Sequence, residues 1–188
     1  MKHILLLLFL LISLSAYSQE HLTFKGMPID GLSSVFVSSL KAKGYEQTYK
    51  DENGNYVMTG SFTGKNADLY ILATRKSHIV WKVVVSFDQL DSWTSLKSVY
   101  NDYIDLFSKK YGRPKRIETF KSPYYEGDGY ELQALRLEKC IYFTYFETPL
   151  GDISIEISND ARIKLSYEDK INLDLKHTEQ NSLDLDEI

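Results

Sequence analysis

The chain is short of cysteine, histidine, proline and net positive charge, and each shortage excludes something. One cysteine, Cys140, cannot make an internal disulfide, so the fold has to rest on its core. Cys140 sits in the apolar run Cys140-Ile141-Tyr142-Phe143, which predicts a buried, inert thiol rather than a nucleophile. The histidines beyond the leader, His21, His78 and His177, are far apart and none has metal-ligand spacing. His78 is expected in a solvent-facing turn. Asp51-Glu52-Asn53-Gly54-Asn55 resembles the start of a calcium loop but lacks the remaining ligand pattern, and a hairpin turn accounts for it. There is no G-x-S-x-G segment and no phosphate-cradling glycine loop. With a net charge of −4, the protein has no electrostatic reason to seek nucleic acid or an anionic membrane. The expectation is therefore no metal, no cofactor and no nucleic-acid partner.

Long apolar runs are also scarce. The exception is Ile4–Leu14, roughly half of the ~20 residues needed to span a bilayer. Lys2 and His3 precede it, and the small residues Ala16 and Ser18 follow where a signal peptidase requires them. Residues 1–18 are read as a signal peptide, cleaved to leave Gln19 first. No cysteine stands at that site, so a lipoprotein is not expected. The reading is a soluble exported protein, periplasmic or extracellular, with no membrane insertion after cleavage.

What remains is long enough for one domain with a sizeable core. Residues 19–170 are read as a single α+β domain, with possible halves 22–90 and 91–170. Residues 171–188 are read as a polar C-terminal tail, partly helical or disordered, in which Ile171 and Leu175 seat a helical turn or two. Asp30 is expected to cap a first helix whose apolar side is Leu32, Val35, Phe36 and Leu40, ended by Gly44. The period then changes to two. Tyr45–Tyr49, Tyr56/Met58/Phe62, Leu69/Ile71/Ala73 and Ile79/Trp81/Val83/Val85/Phe87 predict four antiparallel strands, with Asn53-Gly54 as a hairpin. Asp91-Ser92 opens a longer helix with the stripe Leu96, Val99, Tyr100, Tyr103, Phe107 and Tyr111, stopped by Gly112 and Pro114. Strands follow at 117–120, 141–146, 153–157 and 163–167, while 132–139 fits neither period. The element order repeats, helix and then strands. It predicts an antiparallel sheet of about seven to eight strands built from two such units, with the helices packed on one face. The other face is left solvated or as the working surface.

The segment "SKKYGRPKRIETF" (108–120) packs five positive charges into Lys109–Arg116. Lys109 and Lys110 fall in a last helical turn, where positive charge offsets the macrodipole. Lys41 and Lys43 end the first helix in the same way. A helix exit, rather than an acidic-partner patch, is the reading preferred.

Several segments, "FKGMPIDG" (24–31), "KAKGY" (41–45), "KKYGRP" (109–114), "GDGYELQALRLEKC" (127–140), "GDISIEIS" (151–158) and "YEDKIN" (167–172), resemble small exported proteins of gut Bacteroides-type bacteria. That resemblance implies export and a single α+β domain, and no substrate. In element order alone, the two tandem units resemble the exported β-lactamase-inhibitor proteins, which grip another protein with a concave sheet face. The paired cysteines usual in those units are missing here.

Two clusters stand out as candidate sites. Asp128 and Glu131, beside Glu126, are the candidate catalytic carboxylates, since a pair held at the right separation could hydrolyse a glycosidic bond. The second is aromatic. Of fourteen tyrosines, Tyr124, Tyr125 and Tyr130 crowd the same loop and are the candidate binding residues, because tyrosine offers a large contact area with a polar handle. Trp81, Phe87, Phe143 and Phe146 are assigned to the core. The leading functional reading is a non-catalytic binding module for an unknown protein or an envelope glycan. A small glycan-acting hydrolase and a self-associating structural envelope protein are the alternatives.

Overall fold

A computed structural model of the chain describes residues 20–186. The signal peptide expected over residues 1–18 lies outside them. No helix among the described residues is long and apolar enough to cross a membrane. A small hairpin, β1 (Thr23–Phe24) and β2 (Met27–Pro28), leads into helix α1 (Ser33–Ala42). Four strands follow: β3 (Glu46–Lys50), β4 (Tyr56–Phe62), β5 (Lys65–Ala73) and β6 (Val80–Phe87). Helix α2 (Trp93–Tyr111), strand β7 (Lys115–Phe120), the short helix α3 (Glu131–Arg136) and strands β8 (Cys140–Thr148), β9 (Gly151–Ile157) and β10 (Ile163–Asp169) come next. Helix α4 (Lys170–Asp186) closes the described chain.

Strands β3 to β10 form one eight-stranded antiparallel sheet in the order β3-β4-β5-β6-β10-β9-β8-β7. Each run of four strands is a meander, and the two meanders join along their last strands, β6 and β10. The fold is α+β. Alternation fixes which residues face inward: Met58, Leu69, Ile71, Val83, Val85, Ile153, Ile155 and Leu165 are fully buried. Helix α1 packs against β3 and β5, and α2 against β8, β9 and β10. The α2 stripe gives Leu96, Tyr100, Tyr103, Ile104 and Phe107 to the core. Ser92 caps α2 by accepting the Ser95 amide at 3.1 Å. Gly44 and Gly112 leave the two helices with φ of 89° and 84°, and Lys41 lies in the last turn of α1 and Lys109 and Lys110 in the last turn of α2. Gly60 has a steric role: a Cβ there would sit 2.5 Å from the Tyr45 ring, which lies across β4.

Several expectations are corrected. The buried side of α1 is Ser33, Phe36, Val37 and Leu40, while Leu32 and Val35 face solvent at 50% and 61% exposure. The spacing i, i+3, i+4, i+7 is the better helical stripe, and Leu32 precedes the helix, bridging to Ile79 instead. Leu32 holds the capping position without a side-chain bond, so Asp30 is not the cap. Trp81 leaves the core because β6 bulges: Leu72 pairs with Lys82 and Ala73 with Val80, so Trp81 is the extra residue. Phe143 is half-buried and points away from the core, unlike Phe87 and Phe146. The ambiguous segment is helical over 132–136, within the helix Glu131–Arg136, with Ala134 and Leu135 buried.

The polar tail is a helix of 17 residues rather than one or two turns. Two buried polar side chains anchor it. Asn172 donates to the carbonyls of Ile29 and Val80 at 2.9 and 3.0 Å. Near its other end, Glu179 accepts the Ser77 hydroxyl and the Lys76 and Ser77 amides of the β5–β6 turn. Burial alone would raise the Glu179 carboxyl, but these hydrogen bonds outweigh it and hold the group below its ordinary value. Where the helix begins, the fully buried Asp169 accepts the Leu22 amide at 2.8 Å and faces His21 Nδ1 at 3.0 Å, tying the N-terminal segment to the same corner.

Candidate functional site: the open face of the sheet

The loop that carried the sequence-based candidates is built for shape. The two carboxylate oxygens of Asp128 accept the Tyr125 and Tyr130 amides, at 3.0 and 2.7 Å. Glu131 accepts the Gly127 amide at 2.9 Å. Glu126 is ion-paired with Lys97 near the start of α2, which holds its carboxyl below the ordinary value. A general acid for glycoside hydrolysis needs a raised pKa and a free face towards substrate. Asp128 and Glu131 instead staple the loop backbone. Tyr124 folds inward against the core, its hydroxyl accepting from Gln133 at 3.1 Å. Tyr125 and Tyr130 project outward, at 65% and 61% exposure. So the loop brings two tyrosines to the surface, not three, on the α2 side of the sheet.

The other side of the sheet makes the more developed surface. Its side chains form rows that run across the strands. One row is Leu72, Lys82, Glu168, Asp152 and Glu147, another is Tyr70, Val84, Ser166, Ser154, Tyr145 and Lys115, and a third includes Lys164, Glu156, Phe143 and Ile117. Ser154 and Ser166 sit opposite one another on the central strands β9 and β10. Their small side chains leave a hollow of about 520 Å³ between Leu72 and Val84 on one side and Phe143 and Tyr145 on the other. Farther out, Ile141 and Ile117 continue the apolar surface towards the β7 edge, at 40% and 47% exposure.

The charges around the hollow are mostly acidic. Lys82 pairs with Glu168 at 3.2 Å, and Lys115 with Glu147 at 2.6 Å, leaving Asp152 and Glu156 beside them. Loss of water, and then the charges of Glu168 and Glu147, raise the Asp152 carboxyl above its ordinary value. Like charges held together without full compensation cost stability.

Leu72 also borders a second hollow of about 240 Å³, whose lining includes Trp81, Arg75, Asn53 and Asn55, with Lys176 and Gln180 of α4. Lys176 lies over the half-buried Trp81 ring at 5.7 Å. Asn55 is occupied structurally, accepting the Ala73 amide at 2.9 Å and donating to Asp51 at 2.7 Å. His78 is half-buried near the turn, where a Cβ on Gly54 would meet its ring, so it does not stand free in solvent. Cys140 is buried, and desolvation followed by the charges of Glu126 and Glu131 pushes its thiol up to about 12, which keeps it protonated at neutral pH. Among the described residues, no group of three or more histidine, cysteine or acidic side chains is placed to hold a metal.

Sequence reading missed Phe143, Tyr145, Ser154, Ser166 and Asp152 as site residues. One signal was present. The run from Cys140 to Phe146 is apolar or aromatic at both parities apart from Thr144, and only one parity can face a one-sided core. Comparison with family models, characterised proteins and solved structures found no match to this chain.

Proposed function

We propose that this is an exported, non-catalytic binding module that captures a partner protein on the open face of its sheet. The observation that carries the reading is the aromatic and acidic hollow over Ser154 and Ser166, placed on the rigid centre of the sheet. An aromatic wall of Phe143 and Tyr145 supplies contact area at low entropic cost. Asp152, Glu156 and Glu168 supply negative potential. A lysine or arginine flanked by apolar residues fits that pairing, with its charge at the acids and its stem along the aromatics. Export rests on the leader-like residues 1–18 and on the resemblance to small exported bacterial proteins. The likeness in element order to inhibitors that grip proteins with a sheet face supports the same choice of surface.

The test is capture from an envelope extract of the native host, with the wild type and Phe143→Asp compared side by side. The reading expects a saturable protein partner that the variant loses while keeping its melting temperature. Equal capture by a folded Phe143→Asp protein would remove the open face from the account. Capture of a glycan alone, displaced by free sugar, would replace the protein partner.

A further inference from the structure

The sheet has two outer strands, and only one is blunted. Strand β3 carries a bulge at Thr48 that breaks its register with β4 between Gln47 and Tyr49. A bulge twists an edge away from further pairing. Strand β7 pairs with β8 in unbroken register from Lys115 to Phe120, and all but Phe120 are exposed. Its free hydrogen-bonding positions follow from its exit. The Lys121 amide donates inward to Lys139 at 2.7 Å, so by the two-residue period the backbone of Arg116, Glu118 and Phe120 points outward.

We propose that β7 pairs with β7 of a second copy of this chain, antiparallel, with Ile117 opposite Ile117 at the two-fold axis. In that register Arg116 of each copy lies opposite Glu118 of the other, and both residues are outward-facing, so each such pair exchanges two backbone hydrogen bonds. The neighbouring allowed registers set Arg116 against Arg116 or Glu118 against Glu118 and are repulsive. Charged edges ordinarily resist pairing. Here the order Arg-Ile-Glu makes self-pairing attractive in one register and unfavourable in the next. On the helix side, Arg116 bonds Glu118 of its own strand at 2.7 Å and Asn101 of α2 at 3.0 Å, so the dimer exchanges one ion pair within each copy for one between copies. On the open side, Ile117 meets its symmetry mate beside Phe143, its neighbour across β8, and closes an apolar seam. The two-fold axis is perpendicular to the sheet, so both open faces end on the same side of one continuous sheet and form a bivalent surface. The dimer stands independently of what that surface binds.

Sedimentation over a range of concentrations tests it, with Arg116→Glu, Glu118→Arg and their equimolar mixture. The wild type should show a monomer–dimer equilibrium. Each single variant places like charges opposite and should weaken the dimer about tenfold or more. The mixture should recover it, because one copy then carries two arginines and the other two glutamates. Recovery also shows that both variants are folded. Ile117→Lys, which puts two ammonium groups at the axis, should abolish pairing. A wild type that stays monomeric at its highest soluble concentration would overturn the proposal, as would single variants that dimerise like the wild type or a mixture that fails to pair. Dimers that survive these changes but vanish in Phe143→Asp would put the contact on the open face instead.

Discussion

The two faces of the sheet are built from the same strands and opposite chemistry. The covered face is apolar, aliphatic at Leu69, Ile71, Val83, Ile153 and Ile155 and aromatic at Phe62, Phe87, Tyr142, Phe146 and Tyr167, and is closed by α1 and α2. The open face pairs aromatics with charges over two central serines, and one of its carboxylates is held in an unfavourable setting. Crowded acids beside the half-buried rings of Phe143 and Tyr145 cost stability. The covered face should therefore determine whether the protein folds, and under the proposed function the open face is where the partner binds.

The largest effect should come from cutting into the covered face. Ile155→Ala, on a central strand with no exposure, should cost about 2–5 kcal/mol by urea unfolding. Phe143→Ala, on the adjacent strand but the other face, should cost about 1 kcal/mol or less, near the range of surface changes. Equal losses would erase the distinction between the faces.

Next is the corner that ties α4 to the sheet. Asn172→Ala strips buried carbonyls of Ile29 and Val80 of their donor and should cost about 1–3 kcal/mol. Glu179 makes part of this anchor pH-dependent. Its folded-state pKa is depressed, so its contribution is present above the ordinary glutamate value of about 4.3 and is lost as the pH falls through the folded value. Glu179→Gln should thus melt below the wild type at pH 7, and the gap should close on acidification. A gap that widens in acid would reverse the assignment.

The smallest stability effect should have the opposite sign. The Asp152 carboxyl is raised by loss of water and by Glu168 and Glu147, so its ionisation weakens the fold at neutral pH. The side chain still meets solvent, which keeps the effect small. Asp152→Asn should raise the melting temperature slightly at pH 7 and weaken capture of the partner. A variant both less stable and fully competent in capture would show that the acid serves the fold.

Most of the sheet was legible because alternation is a strong signal wherever one face is buried. Ile153/Ile155/Ile157 and Leu69/Ile71/Ala73 each give a strand and a face. The errors came where one residue breaks the period or where polar anchors replace apolar ones. The β6 bulge turned Trp81 out of a run that reads as perfect alternation. Helix α4 shows few apolar positions because it is held by Asn172 and Glu179, whose partners lie 92 and 102 residues away or more. The Asp128–Glu131 loop is a related case. Acidic residues beside glycines serve turn backbones as readily as substrates, and only geometry separates the two. The hollow on the open face is lined from five strands, so no local stretch displays it.

The most direct measurement is the affinity of the captured partner for three forms of the protein: wild type, Phe143→Ala/Tyr145→Ala, and Tyr124→Ala/Tyr125→Ala/Tyr130→Ala. The account predicts a loss of at least about tenfold for the first pair, which corresponds to about 1.4 kcal/mol, and near wild-type binding for the loop triple. Full affinity in the open-face variant with loss in the loop variant would contradict it and return function to the loop beside α2.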